Sequence, residues 1–162
     1  MAKLKSFQRD TAALEGGVWI NPDPDSSDDP PMELLVKGRD AAYYDKVMVA
    51  VREIVRRAKQ DGRLKSNQGF ADLPPSTRDV LENEIMLGQY ILGVRNLEGD
   101  AGPVTVEDYR KMALTEEFRP LLTLASTAFF IATERRAADR EEALGNSEPS
   151  RPTSSRGAAQ KA

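Results

Sequence analysis

The side chains best placed for chemistry in this chain are carboxylates. Asp23, Asp25, Ser27 and Asp29 alternate along the segment 21–31 (NPDPDSSDDPP), the spacing at which a calcium loop presents its oxygen ligands. The sixth place of such a loop needs glycine and holds Asp28. Pro24 interrupts the run, and Leu34 stands where the closing glutamate belongs. The segment therefore reads as a solvated turn. The pairs Glu82/Glu84, Glu116/Glu117 and Glu141/Glu142 would act as general acid and base only if burial shifted their pKa values. Each sits among polar neighbours and reads as solvated helix surface. There is no His and no Cys, so a Ser–His or Cys–His nucleophile pair, a Cys/His zinc site and a disulfide are all excluded. Gly16-Gly17 and Gly99-x-x-Gly102 are too short to cradle a phosphate and lack the strand-to-helix setting. The expectation is a protein that binds or assembles, with no catalytic residues, metal or cofactor.

The bulk numbers agree with that direction. Among 162 residues, 23 bases face 26 acids, for a net charge of −3. Non-specific nucleic-acid binding rests on cations that neutralise phosphates. The best candidate for such a surface is the helical face Arg52, Arg56, Arg57 and Lys59. Apolar residues are 40% of the chain, enough for one modest core. The apolar runs are too short to span a bilayer, and Met1-Ala2-Lys3-Leu4-Lys5 has no apolar run behind it, unlike a signal peptide. The expected compartment is the reducing cytoplasm, with neither membrane nor nucleic acid as partner.

The elements that must position any site follow from periodicity and punctuation. Val18-Trp19-Ile20 and Met32 to Lys37 read as two short strands around the 21–31 loop, a β-hairpin or small β-subdomain. Asp40 caps a helix running to about Gln60, where Tyr44, Val47, Met48, Val51, Val55 and Ala58 form one apolar stripe and Gly62 stops it. Ser76-Thr77-Arg78-Asp79 resembles a capping start. It opens a helix over 76–92 carrying Val80, Leu81, Ile85, Leu87, Ile91 and Leu92. Asn96 to Pro103 reads as a turn. Thr105, with Asp108 three residues on, caps a helix over 106–114. Thr115-Glu116-Glu117 caps a longer helix to about Leu144, with Pro120 in its tolerant early turn. The fold class is thus α+β: a small N-terminal β-hairpin or subdomain (1–39), then a mostly helical bundle of about four helices (40–146). The polar stretch 147–162 has no large apolar groups and reads as a disordered tail.

Within this frame the residues suited to grip a partner are apolar. Trp19 reads first as a core anchor of the β-subdomain and second as a partner contact, since tryptophan is enriched at interface hot spots. Leu121, Leu122, Ala125, Ala128, Phe129 and Ala132 line one face of the last helix. Phe129 and its neighbour Phe130 point about 100° apart, which reads either as one of them meeting another helix or a partner or, equally, as a wide apolar face buried in a small bundle.

The order of several segments also carries a resemblance. Gly17-Val18-Trp19 is followed by Leu34-Leu35-Val36 just before the Asp40 helix. Tyr90-Ile91-Leu92-Gly93 leads to the acidic turn Glu98-Gly99-Asp100-Ala101-Gly102-Pro103 and the helix start Val104-Thr105-Val106-Glu107. The pattern ends at Glu141-Glu142-Ala143-Leu144-Gly145-Asn146. Over residues 10–146 this order is similar to the tail assembly chaperones of long-tailed bacteriophages. Family members often carry an aromatic where Arg95 stands here, and their 21–31 loop is shorter. The resemblance implies a non-enzymatic chaperone of virion morphogenesis in the host cell cytoplasm. Such proteins coat the tape measure protein, keep its apolar helices soluble and help recruit tail tube protein, and self-association is a further partner expectation. On that footing Trp19, Leu121, Ala125, Phe129 and Phe130 are the candidate partner-binding residues. The competing expectations are a structural head–tail connector or tail completion protein of the virion, and a nucleic-acid-associated regulator.

Overall fold

The computed structural model describes residues 15–145. Residues 1–14 and 146–162, including the stretch read as a disordered tail, lie outside the described residues. The remainder is α+β. A three-stranded antiparallel sheet is built from β1 (Val18–Ile20), β2 (Glu33–Val36) and β3 (Ile91–Arg95), with β2 in the centre. Four helices share its core: α1 (Ala41–Gln60), α2 (Pro75–Gln89), α3 (Val106–Ala113) and α4 (Arg119–Gly145). A short 3-10 turn covers Phe70–Asp72, and a small hairpin pairs β4 (Glu98–Gly99) with β5 (Gly102–Pro103).

The expected hairpin is present, with Trp19 opposite Leu35 and Ile20 opposite Leu34. Its third strand comes from the segment read as the end of a helix. Tyr90 terminates α2, and Ile91 to Arg95 run out along β2, Leu34 opposite Val94 and Leu35 opposite Gly93. The physical reason is tertiary. Left alone, β2 would expose a row of unpaired backbone groups on that edge, and an Ile-Leu-Gly-Val run fits a pleated surface well. The sheet and the helices consequently share one core across the 39/40 boundary. Ile20, Leu34 and Val36 from the hairpin pack in one cluster with Tyr43, Leu87, Tyr90, Ile91, Tyr109 and Phe129.

Helix starts differ from the sequence reading in two places. Pro75 occupies the first position of α2, where its missing N–H costs nothing, and the Ser76-Thr77 start is already inside the helix. Helix α4 begins at Arg119, not at Thr115. The Thr115 hydroxyl donates to the Met112 carbonyl at 2.7 Å and so closes the end of α3. The other two caps stand as read. Asp40 Oδ1 accepts from the Tyr43 N–H at 2.8 Å. The Thr105 hydroxyl oxygen accepts from the Asp108 N–H at 3.2 Å. Gly62, at φ +73°, turns the chain out of α1.

Two tyrosines anchor the centre through their hydroxyls. Tyr109 donates to the Leu121 carbonyl at 2.7 Å, and Tyr90 donates to Asp40 Oδ1 at 2.9 Å. Both rings are fully buried, and satisfied hydroxyls are what make that burial tolerable.

Candidate functional site

The site is assembled around the junction between β2 and α1. Gly38 is pressed against α4 so closely that a Cβ there would lie 2.5 Å from the Ala132 carbonyl oxygen. Only glycine permits that approach. The next residue, Arg39, donates its backbone N–H to Thr133 Oγ1 at 3.0 Å. Asp40 then caps α1 and pairs with Lys37 at 3.3 Å. Burial opposes the Asp40 charge. The Tyr90 hydroxyl, the Tyr43 N–H and Lys37 outweigh it together, and the carboxyl lies below its ordinary range. The entry to α1 is thereby locked to α4 and to the end of α2.

This lock holds one side of a cleft of about 350 Å³ between α2 and α4. Its floor is Tyr43, Met86 and Phe129, all buried. The three rings of Tyr43, Tyr90 and Phe129 pack mutually at centroid distances of 5.2 to 5.6 Å. Phe130 forms a wall and is 64% exposed, against 5% for Phe129. Ser126, Thr133 and Asn83 add polar groups to the lining, and Glu82 and Glu134 carry charge at its edges. The Arg39 guanidinium lies 4.9 Å from the Tyr43 ring centroid, 5.5 Å from that of Phe129 and 5.8 Å from that of the exposed Tyr44. These are cation–π distances. The Tyr43 hydroxyl is held above its ordinary pKa chiefly by burial, with the Glu82 carboxylate adding to the rise and Arg39 opposing it. Tyr43 is thus a neutral, aromatic surface at neutral pH. The cleft offers apolar and aromatic contact with carboxylates at its edge, a surface for holding a side chain.

The five candidate residues separate sharply. Phe129 and Phe130 meet in the same cleft, one as floor and one as wall. Ala125 is fully buried, which corrects its placement as a partner contact: it is the small residue that lets α4 sit close in the core. Leu121 packs against the core and gives its carbonyl to Tyr109. Trp19 stands 37% exposed on the sheet face away from the core, alongside Leu35 and Gly93. The Arg95 guanidinium stacks 4.3 Å from its ring and pairs in turn with Glu33. Trp19 is therefore a half-covered surface group and no core anchor. The cleft also contains Arg39, Tyr43, Met86 and Glu134, which the sequence did not single out, and Glu82, which it offered only as one of a solvated carboxylate pair. Their convergence depends on α1, α2 and α4 meeting, which no spacing within one helix reveals.

Other surfaces sharpen the picture. On α1 the apolar stripe is wider than the face it buries: Tyr43, Val47, Ala50, Val51 and Ile54 pack inward, and Tyr44 and Met48 remain exposed. The cationic face of the same helix is partly neutralised within itself. Arg56 and Arg57 both hydrogen-bond Glu53 and hold its carboxyl at about 2. Among the described residues, no three acidic side chains gather as a metal site requires, and no helix is long and apolar enough to cross a membrane. Comparison with protein-family models, with curated proteins and with solved structures finds no match to the chain in any of the three.

Proposed function

We propose that the protein is a non-enzymatic phage tail assembly chaperone. It holds apolar helical segments of the tape measure protein in the α2–α4 cleft and keeps them soluble until tail tube subunits assemble. One observation carries the reading: Phe130 stands 64% exposed as the wall of a cleft with a buried apolar floor. Leaving a phenylalanine in water forgoes about 1.5–3 kcal/mol of burial, and an apolar cleft rimmed by polar groups is the form a protein-docking surface takes. A helix presents its anchors at i, i+3, i+4 and i+7 and lays them in such a groove. The segment-order resemblance supplies the biological setting, in the cytoplasm of an infected host.

A pull-down with tape measure fragments tests the proposal. The wild-type chain captures a fragment, and Phe130→Asp lowers capture at least tenfold while its circular dichroism stays unchanged. Equal capture by a folded Phe130→Asp chain sinks the reading. Mass spectrometry of purified particles separates it from a connector or tail completion protein: a chaperone is absent from the mature virion, and a connector is present at a fixed copy number.

A further inference from the structure

Resting on that reading of the cleft, we infer that its occupant is a basic amphipathic helix. An apolar anchor of that helix inserts between Phe130 and Met86, and its lysine or arginine side chains meet Glu82 and Glu134. The charge pattern of the lining argues for this choice. Glu82 lies on α2 and Glu134 on α4, both exposed at the edge of the cleft, and neither makes an ion pair among the described residues. The one cation in the lining is Arg39, and its guanidinium is spread over the rings of Tyr43, Tyr44 and Phe129. Other cations are near in sequence but face elsewhere or stand apart. Arg78 is one turn before Glu82 and forms no ion pair with it, and Arg135 and Arg136 line a separate small hollow beside Gly17, Val36 and Gly38. The cleft therefore presents an apolar centre between two carboxylates on facing helices. Acidic segments are repelled by both.

The cleft volume sets the scale of the anchor. About 350 Å³ accommodates a few aliphatic side chains and not a whole helix. The partner thus lies across the mouth and sends in its anchors from one face, which brings the flanking positions of that face over the rims.

Fluorescence anisotropy with the full chain and three labelled helical peptides tests the inference. All three carry leucine at i, i+4 and i+7, and their flanking positions are lysine, glutamine or glutamate. Two exposed ion pairs contribute about a fivefold gain in affinity in total, so the lysine peptide is expected to bind about fivefold tighter than the glutamine peptide. The glutamate peptide is expected to bind more weakly still. The preference should vanish in the Glu82→Gln/Glu134→Gln chain and shrink at 1 M salt, where screening acts within about 3 Å. Phe130→Ala should weaken all three peptides. If the three bind equally and all depend on Phe130, the inferred charge selection is overturned and the chaperone reading stands. If charge preference persists without Glu82 and Glu134, the site assignment is overturned. If no peptide binds, both fall.

Discussion

Two regions of α4 treat adjacent surfaces in opposite ways. Toward the sheet, the helix is sealed. Gly38 lies against the Ala132 carbonyl, Arg39 N–H reaches Thr133, and Phe129 closes a three-ring cluster with Tyr43 and Tyr90. Toward α2, one residue further along, Phe130 projects into an open cleft. Sealing the first region makes the second usable: a groove wall holds its shape only if the helix behind it cannot shift. The molecule packs closely where β2 leads into α1 against α4, and it leaves apolar area exposed in the cleft between α2 and α4.

The sealed side of α4 depends most on Phe129. Phe129→Ala removes the ring that packs against both Tyr43 and Tyr90 and should cost about 3–5 kcal/mol of unfolding free energy. A urea titration followed by circular dichroism measures it. A loss below about 1 kcal/mol would show that the cluster is not the anchor of the cleft.

Gly38→Ala tests the same seal through the backbone. The new methyl would sit 2.5 Å from the Ala132 carbonyl oxygen and 2.8 Å from its carbon, and backbone on both sides cannot swing away as a side chain could. The expected cost is about 1–3 kcal/mol. It should appear as a lower urea midpoint together with weaker peptide binding, because Arg39 and Tyr43 follow Gly38 in sequence and both line the cleft.

The polar part of the seal has a pH signature. The Asp40 carboxyl is held below its ordinary 3.8 in the folded chain. Its contribution is present at all pH values above 3.8 and is lost as the pH falls through the lower folded value. Tyr90 and Tyr109 are shifted the other way, upward, first by burial and for Tyr90 also by Asp40. Their contribution is complete below 10 and is lost as the pH rises toward the folded values. Tyr90→Phe removes the hydroxyl donated to Asp40 and should cost about 1.5–3 kcal/mol at pH 7. Urea midpoints across the acid range should show the gap between the two chains narrowing below pH 4. A gap independent of pH would detach the hydroxyl from the Asp40 charge.

What was legible in the sequence follows the same division. Local signals identified elements well: Asp40 and Thr105 as caps, Gly62 as a stop, and the hairpin around the 21–31 loop. Signals that depend on a distant partner did not. Ile91 and Leu92 look like the last turn of an apolar helix until the free edge of β2 claims them. Thr115 looks like a helix start, and its hydroxyl instead satisfies a carbonyl at the end of the preceding helix. The site was half legible for the same reason. The divergence of Phe129 and Phe130 follows from helical geometry alone. Ala125 looked equally available because burial on α4 is decided by the sheet, α2 and α3, none of them visible within its own stripe.

The smallest effect is also the sharpest discriminator between the two regions. Phe130→Ala removes a ring as large as that of Phe129, from the next position of the same helix. The ring is mostly in water, so folding gains little from it, and alanine favours the helix slightly. The stability change should therefore stay within about 0.5 kcal/mol, against several kcal/mol for Phe129→Ala. The urea midpoints of the two variants, measured side by side, test this directly. A large loss at Phe130 would mean that the ring already supports the fold and has little to offer a partner. A midpoint matching wild type would leave the ring free for binding, as a groove wall must be.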